Sequence, residues 1–231
     1  MSDSKDPVWD TAVRRIQKMV RNGELQPGQA LPTQRIMSER LGVSRASLRE
    51  ALSVLETLGV LRTEPRRGTY LTTSARSDVG TRRWRFESHC SPAEVYQYRL
   101  VTEAYAAGLA AIRAGDEHIE DLRANVAGYK AATREGDLLA ISQIDFEFHD
   151  RIMAVAGNRI FSEVHARFAD MFHESQRLPL PDRERLWESV MEHENVLAAI
   201  EMHDPDGAQY FMRVHIIKAA NRAGVPLSGK A

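Results

Sequence analysis

Residues 41–52 read LGVSRASLREAL and form the turn between two short predicted helices. Gly42 can adopt the positive φ that ends a helix, and Ser44 can cap the helix that follows. After Ser44, leucines recur at helical spacing, so one face of the second helix is expected to be buried. The pattern predicts helices over 34–41 and 45–58, joined by a tight turn.

The segments on either side of this pair extend it into a small domain. An apolar residue at every fourth position predicts a helix over 7–22. Short β-prone runs at 60–63 and 69–72, separated by the turn 65–68, predict a hairpin. Two helices joined by a tight turn and followed by a hairpin are typical of a winged helix-turn-helix, which we expect to span 1–74.

Basic side chains are placed where such a domain meets nucleic acid. Arg45 and Arg49 are four residues apart, so they share a face that is offset from the leucine stripe and can remain outside. Each guanidinium could donate two hydrogen bonds to a guanine in the major groove, and Ser47 is short enough to reach a base edge or a phosphate. The alternative is a plain solvated helix face. The residues predicted to contact DNA are Arg35, Ser44, Arg45, Ser47, Arg49, Arg66, Arg67 and Gly68.

Composition and charge narrow the class of protein. The 231 residues carry a net charge of −1, but Lys and Arg outnumber Asp and Glu in the first 75 residues and the reverse holds beyond them. The first third is therefore the expected polyanion-binding part. We expect no membrane span and no signal peptide, because no long apolar run occurs. The single Cys90 fits a reducing, cytoplasmic location.

The rest of the chain has a helical pattern. Residues 75–90 predict a linker, with one short helix around 78–85, and 226–231 predict a disordered tail. Between them, 91–225 predict an all-helical domain. Its six long helices are expected at 92–114, 116–134, 137–156, 158–177, 182–202 and 205–223. The expected fold class is mainly α: an N-terminal winged helix-turn-helix with a small β-hairpin wing, and a C-terminal bundle of six to seven helices.

Four side chains of the helical domain are candidate metal ligands. Asp145 and His149 are four residues apart on one helix, a spacing that lets both reach one ion, although such a pair alone is weak support. His193 and His215 lie on two later helices, flanked by apolar positions that point them inward. Three imidazoles and a carboxylate suit zinc, with nickel and manganese as alternatives. We interpret the remaining histidines as structural or solvent-facing: His89, His118, His165, His173 and His203.

The N-terminal motifs resemble the GntR family of transcription regulators. The resemblance rests on 23–35, which read GELQPGQALPTQR, on 41–52 and on the wing sequence RRGTYL at 66–71. The family more often has Ser-Glu where this chain has Thr33-Gln34, at a helix start. The resemblance implies that Arg35, Arg45, Arg49 and Gly68 contact operator DNA. It also implies a homodimer on a short palindrome.

The second half resembles the C-terminal domain of the FadR subfamily in its metal-binding form. The resemblance implies that the Asp145, His149, His193 and His215 quartet binds one metal. It also implies an effector site at Arg99, which grips a carboxylate in relatives, and near Asn158. Ser189, one turn before His193, is a further candidate contact. The alternatives are an ion pair of Arg99 with Glu103, a helix cap by Asn158 and solvent exposure of Ser189.

These features predict a regulator that is not an enzyme, and we expect it to be a repressor, in the sense that effector relieves DNA binding. The expected effector is a small carboxylate or a sugar acid. One alternative is a metal-dependent, hydrolase-like enzyme, but no motif supplies a general base beside the metal. The other is a structural metal in a domain that only dimerises.

Overall fold

The computed structural model describes residues 8–72, 84, 86–176, 183–225 and 227, and within them the chain is mostly helical, as predicted. The only sheet in these ranges is a two-stranded antiparallel hairpin. The helices are α1 (Val8–Arg21), α2 (Gln34–Leu41), α3 (Arg45–Thr57), α4 (Pro92–Arg113), α5 (Asp116–Glu135), α6 (Leu138–Val155), α7 (Arg159–Arg167), α8 (Ala169–Ser175), α9 (Arg183–Glu201) and α10 (Pro205–Arg222). The strands are β1 (Leu61–Glu64) and β2 (Gly68–Leu71).

The turn between α2 and α3 has the geometry that the sequence predicts. The Thr33 side chain accepts a hydrogen bond from the Ile36 amide at the start of α2, and Gly42 ends this helix with φ of 61°. The Ser44 hydroxyl accepts from the Ser47 amide at 3.0 Å and so caps α3. Leu48 is fully buried in the core shared by α1, α2 and α3. The apolar stripe of α3 therefore sets its orientation on the domain.

Each strand of the wing differs from its predicted range by one residue: β1 covers 61–64 instead of 60–63, and β2 covers 68–71 instead of 69–72. Leu61 pairs with Leu71 and Glu64 pairs with Gly68 in the hairpin. The turn contains Arg66 at φ of 65°, an unusual conformation for a residue other than glycine. A bridge between Ala30 and Tyr70, which the sequence pattern did not indicate, ties the hairpin to the segment before α2.

The C-terminal helices form a bundle around α4. This helix packs against α6, α8, α9 and α10, while α5 packs against α6 and α9. Ala104, Ala107 and Ala111 are buried on α4, so small side chains let the neighbouring helices approach closely. None of the described helices combines the length and the hydropathy needed to cross a membrane.

The predicted single helix over 158–177 is wrong. The structure divides it into α7 and α8 at Phe168, where φ of −111° and ψ of 17° interrupt the helix. The break turns α8 toward α4 and α6, and Phe172 becomes buried there. No glycine or proline marks this position, so nothing in the local sequence indicated a break.

The start of α6 touches the N-terminal domain. Asp137 caps α6 and accepts a hydrogen bond from Arg14 of α1, and Arg21 donates to the Gly136 carbonyl at 3.0 Å. Leu138 and Leu139 pack against the core of the N-terminal domain. We refer to Arg14, Arg21, Gly136, Asp137, Leu138 and Leu139 as the joint.

Several expectations lie outside the described residues. They include the short helix expected around 78–85, most of the linker, and the tail over 226–231 apart from residue 227. The domain boundaries at 74 and 91 therefore stay predictions.

Candidate metal centre and DNA-reading surface

The four predicted metal ligands meet inside the helical bundle. One ligand atom from each of Asp145, His149, His193 and His215 lies within 4.8 Å of the other three. Asp145 and His149 come from α6, His193 comes from α9 and His215 from α10. All four are buried, with exposed fractions of 4% or less. A bundle interior built from facing helices is a usual place for such a centre.

Two of the distances between ligand atoms fit an ion of the size of zinc. The Nε2 atoms of His149 and His215 are 3.2 Å apart, and His193 Nε2 is 3.4 Å from Asp145 Oδ1. Two nitrogens that bind one tetrahedral zinc at about 2.0–2.1 Å are roughly 3.3 Å from each other. These two distances therefore match a shared ion.

His193 gives an independent reason to expect a cation. Its ring lies between Phe148 and Tyr129, with centroid distances of 4.0 and 4.9 Å, and is fully buried. Within the described part of the chain, neither ring nitrogen has a hydrogen-bond partner. Burying an unsatisfied polar group destabilises a fold. A metal ion is a partner that would satisfy a His193 nitrogen without a hydrogen bond.

A second layer of carboxylates orients the other two histidines. Glu103 Oε2 lies 2.8 Å from His149 Nδ1, and His215 Nδ1 donates to Glu192 Oε2 at 2.8 Å. With protons on both Nδ1 atoms, both Nε2 atoms present lone pairs to each other across 3.2 Å. Two facing lone pairs repel unless a cation lies between them, so this arrangement also favours a metal.

Each of these carboxylates is held by a buried arginine. Arg99 donates to both oxygens of Glu103, at 2.7 and 3.2 Å, and Arg222 donates to both oxygens of Glu192, at 2.8 Å each. Burial would raise the pKa of Glu103, but the charge of Arg99, together with the hydrogen bonds of His149 and Arg99, outweighs it and lowers that pKa. For Glu192, burial is likewise outweighed by hydrogen bonds from Arg222 and His215, and the pKa falls. Both carboxylates are thus ionised at neutral pH.

Burial adjusts the ligands themselves toward metal binding. It lowers the pKa of His149, His193 and His215, most strongly for His193. These imidazoles are therefore neutral at pH 7, the form that binds a metal. Burial also raises the pKa of Asp145, against the opposing effects of His215 and Arg99. A cation in the centre would favour the ionised form of this carboxylate.

Glu192 and Arg222 were missed by the sequence analysis, and Glu103 was weighed only as a partner of Arg99. Glu192 directly precedes His193, and neighbours in a helix point in different directions, so the pattern placed them on different faces. α9 is buried on more than one side, and both faces reach the centre. Arg222 lies seven residues, or two helical turns, after His215 on α10. This spacing could have placed it on the same helix face as His215.

The predicted effector contacts occupy different environments. Arg99 is fully buried, pairs with Glu103 and donates to the Ser175 hydroxyl at 3.1 Å. Asn158 caps α7 by accepting hydrogen bonds from Ile160 and Phe161, the alternative weighed from the sequence. Ser189 is fully buried and accepts from the Tyr129 hydroxyl at 3.1 Å, so its predicted alternative of solvent exposure is wrong.

The predicted DNA-contacting residues lie on α2, at and along α3 and in the wing, and most of them are exposed. Arg45 and Arg49 are exposed along α3, outside the buried leucine stripe. Ser44 and Ser47 occupy the first turn of this helix, with their hydroxyl oxygens 3.0 Å apart. On α2, Arg35 is exposed and pairs with Glu39 at 3.0 Å. At the wing, Arg66, Arg67 and Gly68 are exposed, and Arg67 pairs with Glu64 at 3.0 Å.

Two family models cover most of the chain. Residues 9–71 match the model described as "Bacterial regulatory proteins, gntR family", and residues 94–218 match the FCD domain. These matches correspond to the helix-turn-helix with its wing and to the helical bundle with its buried quartet. Both are families of transcription regulators, so the hydrolase-like interpretation is not supported.

Individual relatives agree along nearly the whole chain. It is 29% identical over 204 residues to the HTH-type transcriptional regulator YcbG of Bacillus subtilis, covering 88% of this chain and 84% of that protein. It is 30% identical over 210 residues to the HTH-type transcriptional repressor NanR of Citrobacter rodentium, covering 87% and 79%. A solved GntR structure from Streptococcus agalactiae, at 22% identity and a TM-score of 0.51, covers 92% of this chain and 99% of that one, and shows the same fold. The chain therefore belongs to the GntR family of bacterial transcription regulators, in the FadR-like subfamily whose C-terminal half is an FCD domain.

Proposed function

We propose that this regulator is a repressor whose affinity for its operator is controlled by a small carboxylate effector bound beside a zinc ion. The observation that carries this proposal is the buried quartet, whose four ligand atoms lie within 4.8 Å of one another. Such a centre can hold an ion, and expansion from four to five ligands would give an effector oxygen a coordination position. The sign of the response is supported by the similarity to a repressor.

DNA binding is assigned to α3 and the wing. Arg45 and Arg49 would enter the major groove and read bases, while Arg35 and the wing residues Arg66 and Arg67 would contact the backbone or the minor groove. The capped amides at the start of α3, with Ser44 and Ser47, suit a phosphate. Binding that depends on such contacts should weaken steeply as salt increases.

The metal is assigned to zinc because the donor set is three imidazoles and one carboxylate, with nickel and manganese as alternatives. When bound, zinc supplies a positive charge and a Lewis-acidic position for a carboxylate oxygen. Of the predicted effector contacts, Arg99 and Ser189 remain in this proposal because both are buried near the quartet. The role of Asn158 as a cap of α7 gives no support to an effector contact.

A homodimer is proposed because a helix-turn-helix reads one half-site and a palindrome presents two. The outer face of α4 supports a partner of the same kind. Val101, Tyr105 and Ile112 are 67%, 51% and 64% exposed at helical spacing, and Ile160 of α7 is 70% exposed. Tyr105 contacts Phe161 of α7, so the two helices share this surface. An apolar face of this kind is typical of an interface.

The joint provides a physical route from the metal centre to DNA. α6 carries Asp145 and His149 inside the bundle, and its first residues rest on α1 of the DNA-reading domain. α1 in turn packs against α3. A shift of α6 on effector binding would therefore change the position of α3, and effector and operator would alter each other's affinity by the same factor.

The test begins with an operator selected from random DNA by the full-length protein. Its affinity is measured by fluorescence anisotropy with zinc, with a chelator, and with zinc plus a panel of small carboxylates and sugar acids. We expect at least one acid to weaken operator binding of the zinc-loaded protein. The variant His193→Ala should lose bound zinc and this response while keeping its helical content.

The matched control is His203→Ala, because His203 lies outside the quartet and hydrogen-bonds the Ala111 carbonyl at 2.9 Å. Full zinc occupancy in His193→Ala would refute the assigned centre. Zinc binding without any effect of an acid on DNA affinity would instead favour a structural metal in a dimerising domain.

A further inference from the structure

The side of α3 that lies opposite its buried residues has no assigned role. The buried stripe of this helix consists of four side chains: Leu48, Ala51, Leu52 and Leu55. At about 100° per residue, Ala46 lies roughly 170° around the helix axis from the average direction of the stripe, whereas Arg45 and Arg49 lie roughly 70° and 110° from it. Within the first turn of α3, Ala46 therefore points most directly away from the core of the domain.

Ala46 belongs to the end of α3 that reads bases in a helix-turn-helix. In such domains the second helix lies in the major groove, and the residues at its N-terminal end contact base edges. Ala46 is the second residue of α3 and is exposed. Because its side chain is a single methyl group, the helix backbone can approach the bases closely at this position.

The two serines of the first turn are engaged with each other. The Ser44 hydroxyl accepts a hydrogen bond from the Ser47 amide at 3.0 Å, and the two hydroxyl oxygens are 3.0 Å apart. On the same helical count, Ser47 lies roughly 90° from the buried stripe, on the flank opposite the arginines. The Ala46 methyl group is thus exposed between an arginine flank and a serine flank.

A methyl group in the major groove can distinguish one base from the others. Thymine presents a C5-methyl group there, which cytosine, adenine and guanine do not, and alanine is a usual apolar contact for it. Bringing the two methyl groups together removes apolar surface from water and is favourable. The guanidinium groups on the adjoining flank favour guanine, so the first turns of α3 carry groups suited to two different bases.

We propose that Ala46 is a specificity-determining residue that contacts the C5-methyl group of a thymine in each operator half-site. This inference rests on the proposed function and deepens it, because it names a base that the operator must contain. The thymine lies close to the bases that Arg45 and Arg49 read, since the three side chains belong to the first five residues of α3.

The experiment removes one methyl group at a time from the DNA. Deoxyuridine replaces thymidine at each position of one half-site of the selected operator, which leaves the pairing with adenine unchanged. The affinity of the full-length protein for each duplex is measured by fluorescence anisotropy. We expect one of these replacements to weaken binding about fourfold, the change expected when one methyl group is no longer buried.

The variant Ala46→Gly removes the partner methyl group from the protein. It should bind the thymine duplex and the uracil duplex with nearly equal affinity, because the contact between the two methyl groups is already absent. Ala46→Ser places a hydroxyl group against the thymine methyl and should also reduce the preference, so it provides the test if Ala46→Gly does not fold.

The matched control is Ser53→Gly. Ser53 is exposed on the same side of α3, two turns after Ala46, and this variant also introduces a glycine into the helix. It should keep the full preference for thymine over uracil, even if its overall affinity for DNA falls.

The outcomes separate the two levels of the proposal. Equal affinity of the unmodified protein for every uracil duplex would overturn the role of Ala46 and leave the proposed function standing. A thymine preference that Ala46→Gly and Ala46→Ser retain in full would have the same meaning. Failure of the protein to select any operator from random DNA would overturn both.

Discussion

At the scale of single residues, the metal centre depends on compensated charge. Glu103 and Glu192 are buried carboxylates, and each is held by an arginine that donates to both of its oxygens. An uncompensated buried charge would be strongly destabilising. The pairing with arginine is therefore what allows these two carboxylates to be buried in contact with His149 and His215. Asp145 has no such guanidinium clamp among the described contacts, and a cation in the quartet would balance its charge.

The variant Glu192→Gln should weaken zinc binding by roughly 10–100-fold, the usual effect of removing a carboxylate behind a histidine ligand. The amide keeps the shape of the side chain but removes the charge that orients His215 and increases its basicity. Zinc affinity is measured by competition with a chromophoric chelator. The matched control is Glu188→Gln, one turn earlier on α9, which is 56% exposed and 3.8 Å from Arg222. Equal zinc affinities in the two variants would contradict this role.

The sequence predicted the quartet but not the residues behind it, for a physical reason. Asp145 and His149 are one turn apart, and apolar neighbours pointed His193 and His215 inward, so helical periodicity was sufficient. Glu192 could not be placed in this way, because a charged residue beside a ligand is ordinarily assigned to the solvent face. Only the packing of several helices around α9 buries it.

At the scale of elements, α3 separates its two tasks by its faces. Leu48 and Leu55 are fully buried, whereas Arg45 and Arg49 are exposed on the adjoining face. Substituting an arginine should therefore alter DNA binding without altering the fold.

We expect Arg45→Ala and Arg49→Ala each to weaken operator binding by about 1–3 kcal/mol, the usual range for a good bidentate contact with a base. Anisotropy titrations against the selected operator and a scrambled duplex of equal length measure the loss of specificity. Arg40→Ala is the control, because Arg40 is an exposed arginine of the same domain that pairs with Glu24 at 2.5 Å. Unchanged discrimination between the two duplexes in the α3 variants would exclude base reading by these side chains.

Gly42 ends α2 in the turn before α3, and its φ of 61° lies in a region that residues with a Cβ atom disfavour. Gly42→Ala should destabilise the protein by about 1–2 kcal/mol, because its Cβ would be strained even though only Arg15 lies within 4 Å. Gly128→Ala in α5 should act in the opposite direction, since alanine favours a helix and the new Cβ would make an ordinary contact with Ile144 at 3.7 Å. Urea unfolding of the full-length variants measures both, and equal effects would argue against strain at Gly42.

The elements also show where sequence patterns stop being informative. The bounds of α2 were predicted correctly because a capping threonine and a terminal glycine mark its ends. The break at Phe168 carries no such mark, so α7 and α8 were predicted as one helix. This break is what places Ser175 beside Arg99, a contact that became visible only in three dimensions.

At the scale of the whole molecule, the joint is the contact through which we propose that the bundle influences the DNA-reading domain. Arg14 bridges Asp10 of its own helix, at 3.1 Å, and Asp137, which caps the helix that carries two of the metal ligands. The Arg14 side chain is half-exposed, both carboxylates are largely buried, and the contact lies outside the two apolar cores. Breaking it should therefore disturb communication more than folding.

We expect Arg14→Ala to bind zinc and the selected operator about as tightly as the unmodified protein when each is measured alone. The change in operator affinity that effector causes should shrink, because the capping residue of α6 would lose its link to α1. Typical coupling free energies between sites are about 1–3 kcal/mol, so a loss of a large part of this is measurable by anisotropy titrations with and without effector. Arg123→Ala is the matched control, since Arg123 forms an ion pair with Glu201 within the bundle. If Arg14→Ala retained the full response, transmission would have to pass through the apolar contacts of Leu138 and Leu139 instead, and the ion pair would only help to hold the domains together.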